Sequence, residues 1–406
     1  LCKFCSGLRG LIRSTVAHVD LDALRDNFLA VRQFVEGNSG QPSPYLVAVV
    51  KANAYGHGAE QVALALQNAG ARMLACADIE EGVALRQAGI TVPILVFGAL
   101  SVSDLDGLFE YSLTPTISSP AAAEAVQAAA LRLRVAIGYH LKVDTGMHRL
   151  GFRHDNLEKT LPPLLASQNL NLEAVYTHFA TADDSHTELF NEQRLRFDQA
   201  VSIVRKLGGA PKICHAANSA ALLRDSRVWY DAVRPGLLLY GIVPPLSWTN
   251  PMSQLQEQGF QTFFRSATKL LRPVLSLTSR VVAVKGLRPG EGIGYGWNYR
   301  ADTPMSIAVI PAGYADGVDT RLSGHGHVLI RGNRVRIVGA ISMDMMMVDV
   351  TNCGVQPGDE VVIIGQQGHE SWQTIDAREM AEAIDTIPWE ILCRLGSRIE
   401  RQYSQS

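Results

Sequence analysis

The strongest constraint on the fold is a regular alternation of short apolar runs and helical patterns between Tyr45 and Gly236. Eight strand–helix units follow one another in this region. The predicted strands are YLVAVVK (45–51), MLACA (73–77), ILVFG (94–98), LTPTI (113–117), YHLKVD (139–144), LEAVYTH (172–178), PKICHA (211–216) and DAVRPG (231–236). Such alternation predicts a parallel sheet with helices outside it, and eight units is the number that closes a (β/α)8 TIM-type barrel. A doubly wound open sheet is the alternative.

The composition changes after Tyr240. Residues 242–270 are rich in Pro, Ser, Gln and Thr and have no clean period, which indicates a linker or an insertion. Beyond Pro273, short β-type runs follow one another with a single helix predicted at 377–384, which indicates a mainly antiparallel β domain. The segment 18–28 is predicted as a leading strand and helix outside the eight units. We therefore predict a disordered leader at 1–15, a barrel at 16–258 and a β domain at 259–406.

Charge and composition exclude several classes of partner. The chain has 37 basic and 39 acidic residues, so its formal net charge is 37 − 39 = −2. This balance gives no electrostatic reason to expect nucleic acid or an anionic membrane as a partner. No uncharged apolar run approaches the roughly 18 residues that would span a bilayer. Six cysteines are too few for a disulfide scaffold, so we expect a reducing, cytoplasmic setting.

Cys2 and Cys5 form a lone C-x-x-C pair near the start of the sequence. The pair could be half of a metal site or a redox pair, or simply two thiols in a leader. No second Cys or His pair stands nearby, so the leader interpretation is favoured and no metal site is expected.

Polar residues collect where the predicted barrel strands end, which is where barrel enzymes place their active groups. Lys51 ends the first strand, and burial of an ammonium without a partner is costly. A lysine in such a place can serve as a base or form a Schiff base, although it could also be a lysine whose charged end reaches solvent. The glycines of the ANAYGHG segment leave room for a bulky ligand, and Tyr55 offers a hydroxyl.

Later strand ends add further polar groups on the same rim. They are Lys142, Asp144 and Arg149 after the fifth strand, His178 at the sixth, Asn218 and Ser219 after the seventh, and Arg234, Gly236 and Leu237 at the eighth. Taken singly, the histidine could be a core residue and the arginines could form structural ion pairs. Gly236 and Leu237 open a short predicted helix, whose free N–H groups can bind phosphate. A lysine, a phosphate site and several cations together suggest pyridoxal 5'-phosphate (PLP), whose aldehyde forms a Schiff base with lysine.

At this point the sequence resembles the alanine racemase family. The ordered motifs that carry the resemblance are VAVVKANAYGHG, LKVDTGMHRLGF, THFATAD, HAANSAALL, RPGLLLYG, GYGWNYRA, GYADG and SMDMMMVDV, which lie between about Val19 and Val350. The resemblance implies a PLP-binding barrel, a C-terminal β domain, and a homodimer in which each active site uses residues of both chains.

The resemblance also implies roles for individual residues. Lys51 would hold the cofactor as an imine and act as one catalytic base, and Tyr295 of the other chain would be the second base. The cofactor phosphate would be bound by Tyr55, Ser219, Gly236 and Leu237. His178 would pack near the cofactor ring, Arg234 would donate a hydrogen bond to the pyridine nitrogen, and Arg149 would contact both cofactor and substrate. Met343 and Asp344 would contact the substrate, and Tyr314 would line the entrance. Lys142 matches a lysine that is carbamylated in many members of the family.

These roles agree with the chemistry of racemisation. A proton leaves Cα from one face of a planar intermediate and another returns to the opposite face, so two bases are needed. Tyrosine is a weak base at neutral pH, and a cation such as Arg149 would favour its phenolate form. Arg234 keeps its protons, so it would donate to the pyridine nitrogen without protonating it. We expect that arrangement to limit side reactions such as transamination.

The sequence departs from the family pattern in two places. The stretch between Tyr240 and Pro273 is longer than usual, and Ser397 stands near a position where many members carry a tyrosine that reaches the cofactor phosphate. Strict preference for alanine is therefore in question, and His148, at a variable position, is assigned no role.

Three functions remain open at this stage. They are an alanine racemase that supplies D-alanine for peptidoglycan, another enzyme on the same plan (a serine or broad-specificity racemase, or a PLP decarboxylase of basic amino acids), and a non-catalytic PLP-homeostasis protein. The last has no β domain, and Tyr295 argues against the decarboxylase.

Overall fold

The computed structural model describes residues 14–38, 42–100, 104–184, 187–244, 271–368 and 371–405. Within them the chain divides into two compact units. One contains Ala23–Ala54 and Gly58–Arg272, and the other contains the residues up to Asp22, Tyr55–His57 and Pro273–Ser406. Cys2 and Cys5 lie outside the described residues, as do 245–270 of the expected insertion and the predicted boundary at 258/259.

The first unit is a closed barrel of parallel strands. Its eight strands, numbered here in chain order, are Tyr45–Val49, Met73–Cys76, Ile94–Val96, Thr114–Ile117, Ile137–Asp144, Leu170–Tyr176, Ile213–His215 and Ala232–Val233. Each strand pairs with the next, and the eighth pairs with the first. All eight predicted strands are present, so the barrel is confirmed and the open sheet is not. A further two-residue strand, Phe152–Arg153, pairs with the end of strand 5.

Helices cover the outside of this barrel. They are Leu21–Asn38, Ala59–Asn68, Ile79–Gln87, Asp106–Glu110, Pro120–Leu133, Leu157–Thr160, Pro162–Leu165, Thr187–Lys206 and Ser219–Arg224. Several begin as their sequences predict: Ser119 caps Pro120–Leu133 by accepting the N–H of Ala122, and proline occupies the first helical position. Because the helices cover the outside of the sheet, the barrel strands are buried on both faces and their sequences are continuous apolar runs. In strand 2, for example, all four residues are buried.

The second unit is a mainly antiparallel sheet, as predicted. Within the described residues, nine of its ten strands lie in the order Ala283–Leu287, Met305–Ile310, Met346–Asp349, Asn333–Val338, His327–Ile330, Glu360–Gln367, Leu275–Arg280, Val16–Asp20 and Glu400–Ser404. The tenth, Gln373–Ile375, pairs with Glu360–Gln367. Two short strands, Gly292–Ile293 and Tyr299–Arg300, form a separate hairpin whose apolar residues pack on a cluster that includes Met305 and Val338.

Two features of the second unit differ from the sequence-based expectation. Val16–Asp20 opens the range predicted as barrel, but it pairs antiparallel with Leu275–Arg280 and parallel with Glu400–Ser404. Its sequence VAHVD is typical of a strand, and nothing in a single strand's pattern says which sheet it joins. The predicted helix at 377–384 is present as Ala377–Glu382, and a second helix, Pro388–Cys393, follows it.

The segment after barrel strand 1 has an unusual backbone. Lys51–Tyr55 forms one helical turn in which Ala52, Asn53, Ala54 and Tyr55 have φ between 53° and 54°, the left-handed region. A non-glycine residue in this region costs about 1–2 kcal/mol. Four consecutive residues of this kind need support from the surrounding structure, and strain of this kind is concentrated at functional sites.

Candidate active site

The carboxyl ends of the barrel strands carry a group of cationic side chains. Lys142, on strand 5, is only 6% exposed, and Arg234, directly after strand 8, is 4% exposed. Lys142 Nζ and Arg234 Cζ lie 5.7 Å and 5.2 Å from the centre of the Tyr176 ring, so both contact the same aromatic side chain. Burial and the positive charges of Arg149, Arg234 and Lys51 together lower the pKa of Lys142 to about 8, against the opposing effect of Asp144.

Removal of the buried Lys142 charge is expected to raise the free energy of unfolding. The folded protein holds the Lys142 pKa near 8, whereas the ordinary value is 10.5, and this difference corresponds to roughly 3 kcal/mol. The penalty is complete below pH 8, shrinks as pH rises from 8 to 10.5, and is absent above that range. Lys142→Met should therefore stabilise the cofactor-free protein by about 3 kcal/mol at pH 7, with the gain lost by pH 10.5.

Urea unfolding in bicarbonate-free buffer between pH 6.5 and 10.5 measures this effect. Lys159→Met, at an exposed lysine of the same unit, is the matched control and should show no such pH-dependent gain. A Lys142→Met protein whose advantage is constant across this pH range would contradict the assignment.

Arg234 is held by a buried chain of neutral groups. Its guanidinium donates to the carbonyl oxygens of Thr177 (2.8 Å) and Ala216 (2.9 Å) and to Nδ1 of His215 (2.8 Å). Arginine has no acceptor, so His215 Nδ1 accepts and the proton of this ring lies on Nε2. His215 Nε2 then donates to His140 Nδ1 at 3.0 Å.

The same reasoning fixes the second histidine. His140 Nδ1 accepts, so its proton lies on Nε2, which is buried and has no hydrogen-bond partner among the residues described. Burial lowers the pKa of His140 to about 3, with Arg234 adding to the effect, and it holds the pKa of His215 far below its usual value. Both rings are therefore neutral and orient the guanidinium without sharing its charge.

Ser219, Gly236 and Leu237 are brought together by the last two barrel loops. Ser219 begins the helix Ser219–Arg224, and its Oγ accepts the N–H of Gly236 at 3.0 Å. Leu237 begins a short 3₁₀ helix that ends at Tyr240. The three predicted phosphate-binding positions of this unit are thus adjacent, and Ser219 Oγ accepts from the N–H groups of both Gly236 and Leu238 at this helix start.

His178 and Arg149 complete the predicted residues of the barrel unit. His178 is partly buried, and its Nδ1 lies 3.4 Å from Arg234 Nη2. Burial and the cations Arg234, Lys142, Arg149 and Lys51 hold its pKa well below the usual value. Arg149 is exposed and follows a loop that Asp144 shapes, since Asp144 Oδ1 accepts the N–H groups of Gly146 and His148, each at 3.0 Å.

The remaining predicted residues belong to the second unit. Tyr295, Tyr314 and Met343 are 76%, 48% and 52% exposed. The loops of the last two are joined, because the N–H groups of Tyr314 and Ala315 donate to the carbonyl oxygens of Ser342 and Met343. Tyr55 groups with this unit, and burial raises the pKa of its hydroxyl.

Asp344 has a partner that sequence reasoning missed. Its Oδ1 accepts from Arg398 Nη2 at 2.5 Å, and Arg398 Nε donates at 2.7 Å to Asp316, which is fully buried. Arg398 therefore joins the GYADG and SMDMMM loops. Nothing in the segment RLGSRIER marks Arg398 as different from its arginine neighbours, so no sequence pattern could have identified it.

Comparison with known proteins identifies the family. The family model for the alanine racemase N-terminal domain matches residues 19–244, and that for the C-terminal domain matches residues 274–403. Alanine racemase from Carboxydothermus hydrogenoformans is 40% identical over 393 residues, which is 97% of this chain and 100% of the relative. Alanine racemase from Halothermothrix orenii is 38% identical and covers 97% of each chain.

Solved structures agree with this result. The alanine racemase of Bacillus anthracis with bound L-Ala-P superposes with a TM-score of 0.84 at 35% identity, over 97% of this chain and 95% of the other. The Bartonella henselae alanine racemase with covalently bound pyridoxal phosphate gives a TM-score of 0.79 at 28% identity, over 96% and 99%.

The fold and the cationic group at the strand ends define a (β/α)8-barrel protein with an appended β unit. The sequence matches make the assignment specific: this chain belongs to the alanine racemase family.

Among the residues that the structure describes, no helix is both long and apolar enough to cross a membrane. No three of the His, Cys, Asp and Glu side chains of these residues are grouped as a metal site would require.

Proposed function

We propose that this protein interconverts L-alanine and D-alanine with PLP as cofactor, using Lys51 of one chain and Tyr295 of a second copy as two bases. The observation that carries the proposal is the cationic group at the barrel strand ends, where Arg149, Arg234 and Lys51 lower the pKa of Lys142, and these three cations and Lys142 lower the pKa of His178. A phosphate ester and an amino-acid carboxylate are the anions that would compensate these charges. The covalent PLP in the Bartonella henselae relative supports the same choice.

The chain's donor set fits PLP. Lys51 would hold its aldehyde, and Ser219, Gly236, Leu237 and Tyr55 would bind its phosphate. Arg234 would donate to the ring nitrogen, with His178 and Arg149 beside the ring. When bound, PLP supplies the electron sink that stabilises negative charge at the substrate Cα.

The two bases handle one proton each. Lys51 Nζ removes or returns the Cα proton on one face, and the Tyr295 phenol oxygen does so on the other. In one direction Lys51 gains the Cα proton while Tyr295 gives its proton to the opposite face, so after one turnover Lys51 carries one proton more and Tyr295 one fewer. The next turnover restores them in the reverse direction or by exchange with water.

Arg234 would determine whether the ring nitrogen of PLP is protonated. Its guanidinium remains protonated, because the pKa, although lowered by burial to about 10, is still above neutrality. Hydrogen bonds from Arg234 to two carbonyl oxygens and to neutral His215 fix its direction. The ring nitrogen would thus accept a hydrogen bond without gaining a proton, which weakens the electron sink and favours racemisation over transamination.

The second copy is part of the proposal because Tyr295 is 76% exposed in its own chain. A catalytic phenol needs a site that excludes water, and another surface must therefore cover it. Trp297, Tyr314, Met343 and Met345 are also exposed, and exposed apolar groups of this kind mark interaction surfaces. Met343, Asp344 and Tyr314 would reach the substrate from the same side as Tyr295.

Lys142 is proposed to be carbamylated. Carbamylation requires a neutral amine, and a pKa near 8 leaves a sizeable neutral fraction at physiological pH. The product would be an anion among cations, next to Arg149. Mass measurement of the Lys142 peptide with and without bicarbonate tests this point.

A broader substrate range is the second candidate function. Ser397 is small and exposed, and it stands near a position where many family members carry a tyrosine. A substrate with a larger side chain than alanine would therefore meet less steric resistance there. Incubation with L-Ala, L-Ser and L-Arg, with D-product and CO2 both measured, separates the candidates. D-alanine as the dominant product supports the proposal, D-serine at a comparable rate supports the broader racemase, and CO2 without D-product contradicts both. A cytoplasmic location and a role in supplying D-alanine for peptidoglycan are proposed on family membership alone.

Subunit mixing gives the sharpest test of a shared site. In a heterodimer of Lys51→Ala and Tyr295→Phe chains, one site has lost both bases and the other keeps both. Random pairing of equal amounts gives half heterodimers with one working site in two, so activity should return to about one quarter of the unaltered level. Each variant alone should be nearly inactive, and a mixture no better than its parts would place both bases on one chain.

A further inference from the structure

Glu81 makes an unusual pair of hydrogen bonds at the start of the helix Ile79–Gln87. Asp78 caps this helix, because its Oδ1 accepts the Glu81 N–H at 2.8 Å. In a capping box, the carboxylate at the third helical position bonds back to the N–H of the capping residue. Here Glu81 Oε2 accepts instead from the N–H of Ala77, one residue earlier, at 2.7 Å.

The other oxygen of this carboxylate reaches a different barrel loop. Glu81 Oε1 accepts from the N–H of Ala52 at 2.7 Å. Ala52 directly follows Lys51 and is the first residue of the turn with left-handed φ. The first N–H groups of a helical turn have no partner within the turn, so Glu81 satisfies one that would otherwise be left to solvent.

Asn53, in the middle of the turn, has hydrogen bonds of its own that support the turn. Asn53 Oδ1 accepts the N–H of Ala59 at 2.8 Å, and the N–H of Gly58 donates to the Asn53 carbonyl at 3.0 Å. Asparagine also tolerates the left-handed region better than most residues. Ala52 cannot support the turn in this way through its own side chain, since alanine has neither a polar side chain nor a preference for positive φ.

We propose that Glu81 is a positioning residue for Lys51: its carboxylate ties the loop after strand 2 to the loop after strand 1 and so holds the strained turn on which the lysine stands. The inference rests on the proposed role of Lys51 as the cofactor lysine. Without Glu81, the turn relaxes toward ordinary backbone angles, and the Lys51 amine is presented in more directions than the one that suits the cofactor aldehyde.

Four variants separate this role from simple stabilisation of the helix. Glu81→Ala removes both bonds, and Glu81→Gln keeps a single acceptor oxygen. Asp78→Ala removes the helix cap but leaves the Glu81 carboxylate, and Glu80→Gln changes an exposed neighbour of like charge.

The first measurement is amide hydrogen exchange in the cofactor-free protein. Glu81→Ala should speed exchange across 51–58 by about tenfold or more, with Glu81→Gln in between. Asp78→Ala should affect mainly residues 79–87, and Glu80→Gln neither segment. Exchange across 51–58 that is equal in Glu81→Ala and Glu80→Gln would overturn the inference.

The second measurement is imine formation after addition of PLP, followed by absorbance and by borohydride trapping at Lys51. The rate should fall by about tenfold or more in Glu81→Ala, and less in Glu81→Gln, while both controls stay near the unaltered protein. Equal rates in all four variants would overturn the inference. An unaltered protein that forms no imine at all would instead overturn the proposed function, and the exchange measurement would still report on the Glu81 contacts.

Discussion

Lys51→Ala is expected to lower alanine racemisation by roughly four orders of magnitude, because the variant loses both the covalent attachment of the cofactor and one of the two bases. Borohydride reduction of the PLP-treated protein, followed by peptide mapping, should label Lys51 in the unaltered chain and no lysine in the variant. Added methylamine should restore part of the activity, since it can take the place of the missing side chain amine.

Lys159→Ala is the control for this experiment. Lys159 lies on the short helix Leu157–Thr160 of the same unit and is exposed, so its removal should change neither labelling nor rate. Labelling of a different lysine in the unaltered protein, with full activity in Lys51→Ala, would show that the cofactor is held elsewhere.

Tyr295→Phe is expected to have the second largest effect, a loss of about 10²–10⁴ in racemisation in both directions. Both directions fall together because mirror-image substrates have an equilibrium constant of one. The informative quantity is exchange of the Cα hydrogen with D2O. Exchange should persist for the enantiomer whose proton faces Lys51 and be lost for the other, because only the phenol oxygen has been removed.

Tyr299→Phe is the matched control, since Tyr299 pairs with Ile293 in the same hairpin and is less exposed than Tyr295. The Tyr299 variant should exchange both enantiomers at nearly the unaltered rates. Equal losses of exchange for the two enantiomers in Tyr295→Phe would remove this tyrosine as a base.

The barrel was predictable because its signal is repetitive. Each buried strand gives a short apolar run and each covering helix gives a 3.6-residue period, so eight repeats reinforce one another even where a strand such as Thr114–Ile117 is weak on its own. The rim residues were predictable for a related reason, since parallel strands all end on one side. Tyr295 was different, because only the family motif distinguished it from an ordinary aromatic residue in a glycine-rich turn.

Other features depend on contacts that no local pattern encodes. Of the residues Ala-Asn-Ala-Tyr only Asn53 tolerates the left-handed region well, and the contact with Glu81 joins positions 29 residues apart. His140 and His215 are buried on strands and look like core residues in the sequence, although together they orient Arg234. Val16–Asp20 has a clear strand pattern, but its sheet is decided by partners near the other end of the chain.

That last pairing has a consequence for biosynthesis. Val16–Asp20 leaves the ribosome about 380 residues before its parallel neighbour Glu400–Ser404 is made. All eight barrel strands are made long before Glu400–Ser404, so the barrel can fold during translation while Val16–Asp20 still has an uncovered edge. Such an edge is prone to pairing with other chains. Because Leu275–Arg280 covers only the opposite edge, we infer that the nascent protein depends on chaperones to shield this one until Glu400–Ser404 is made.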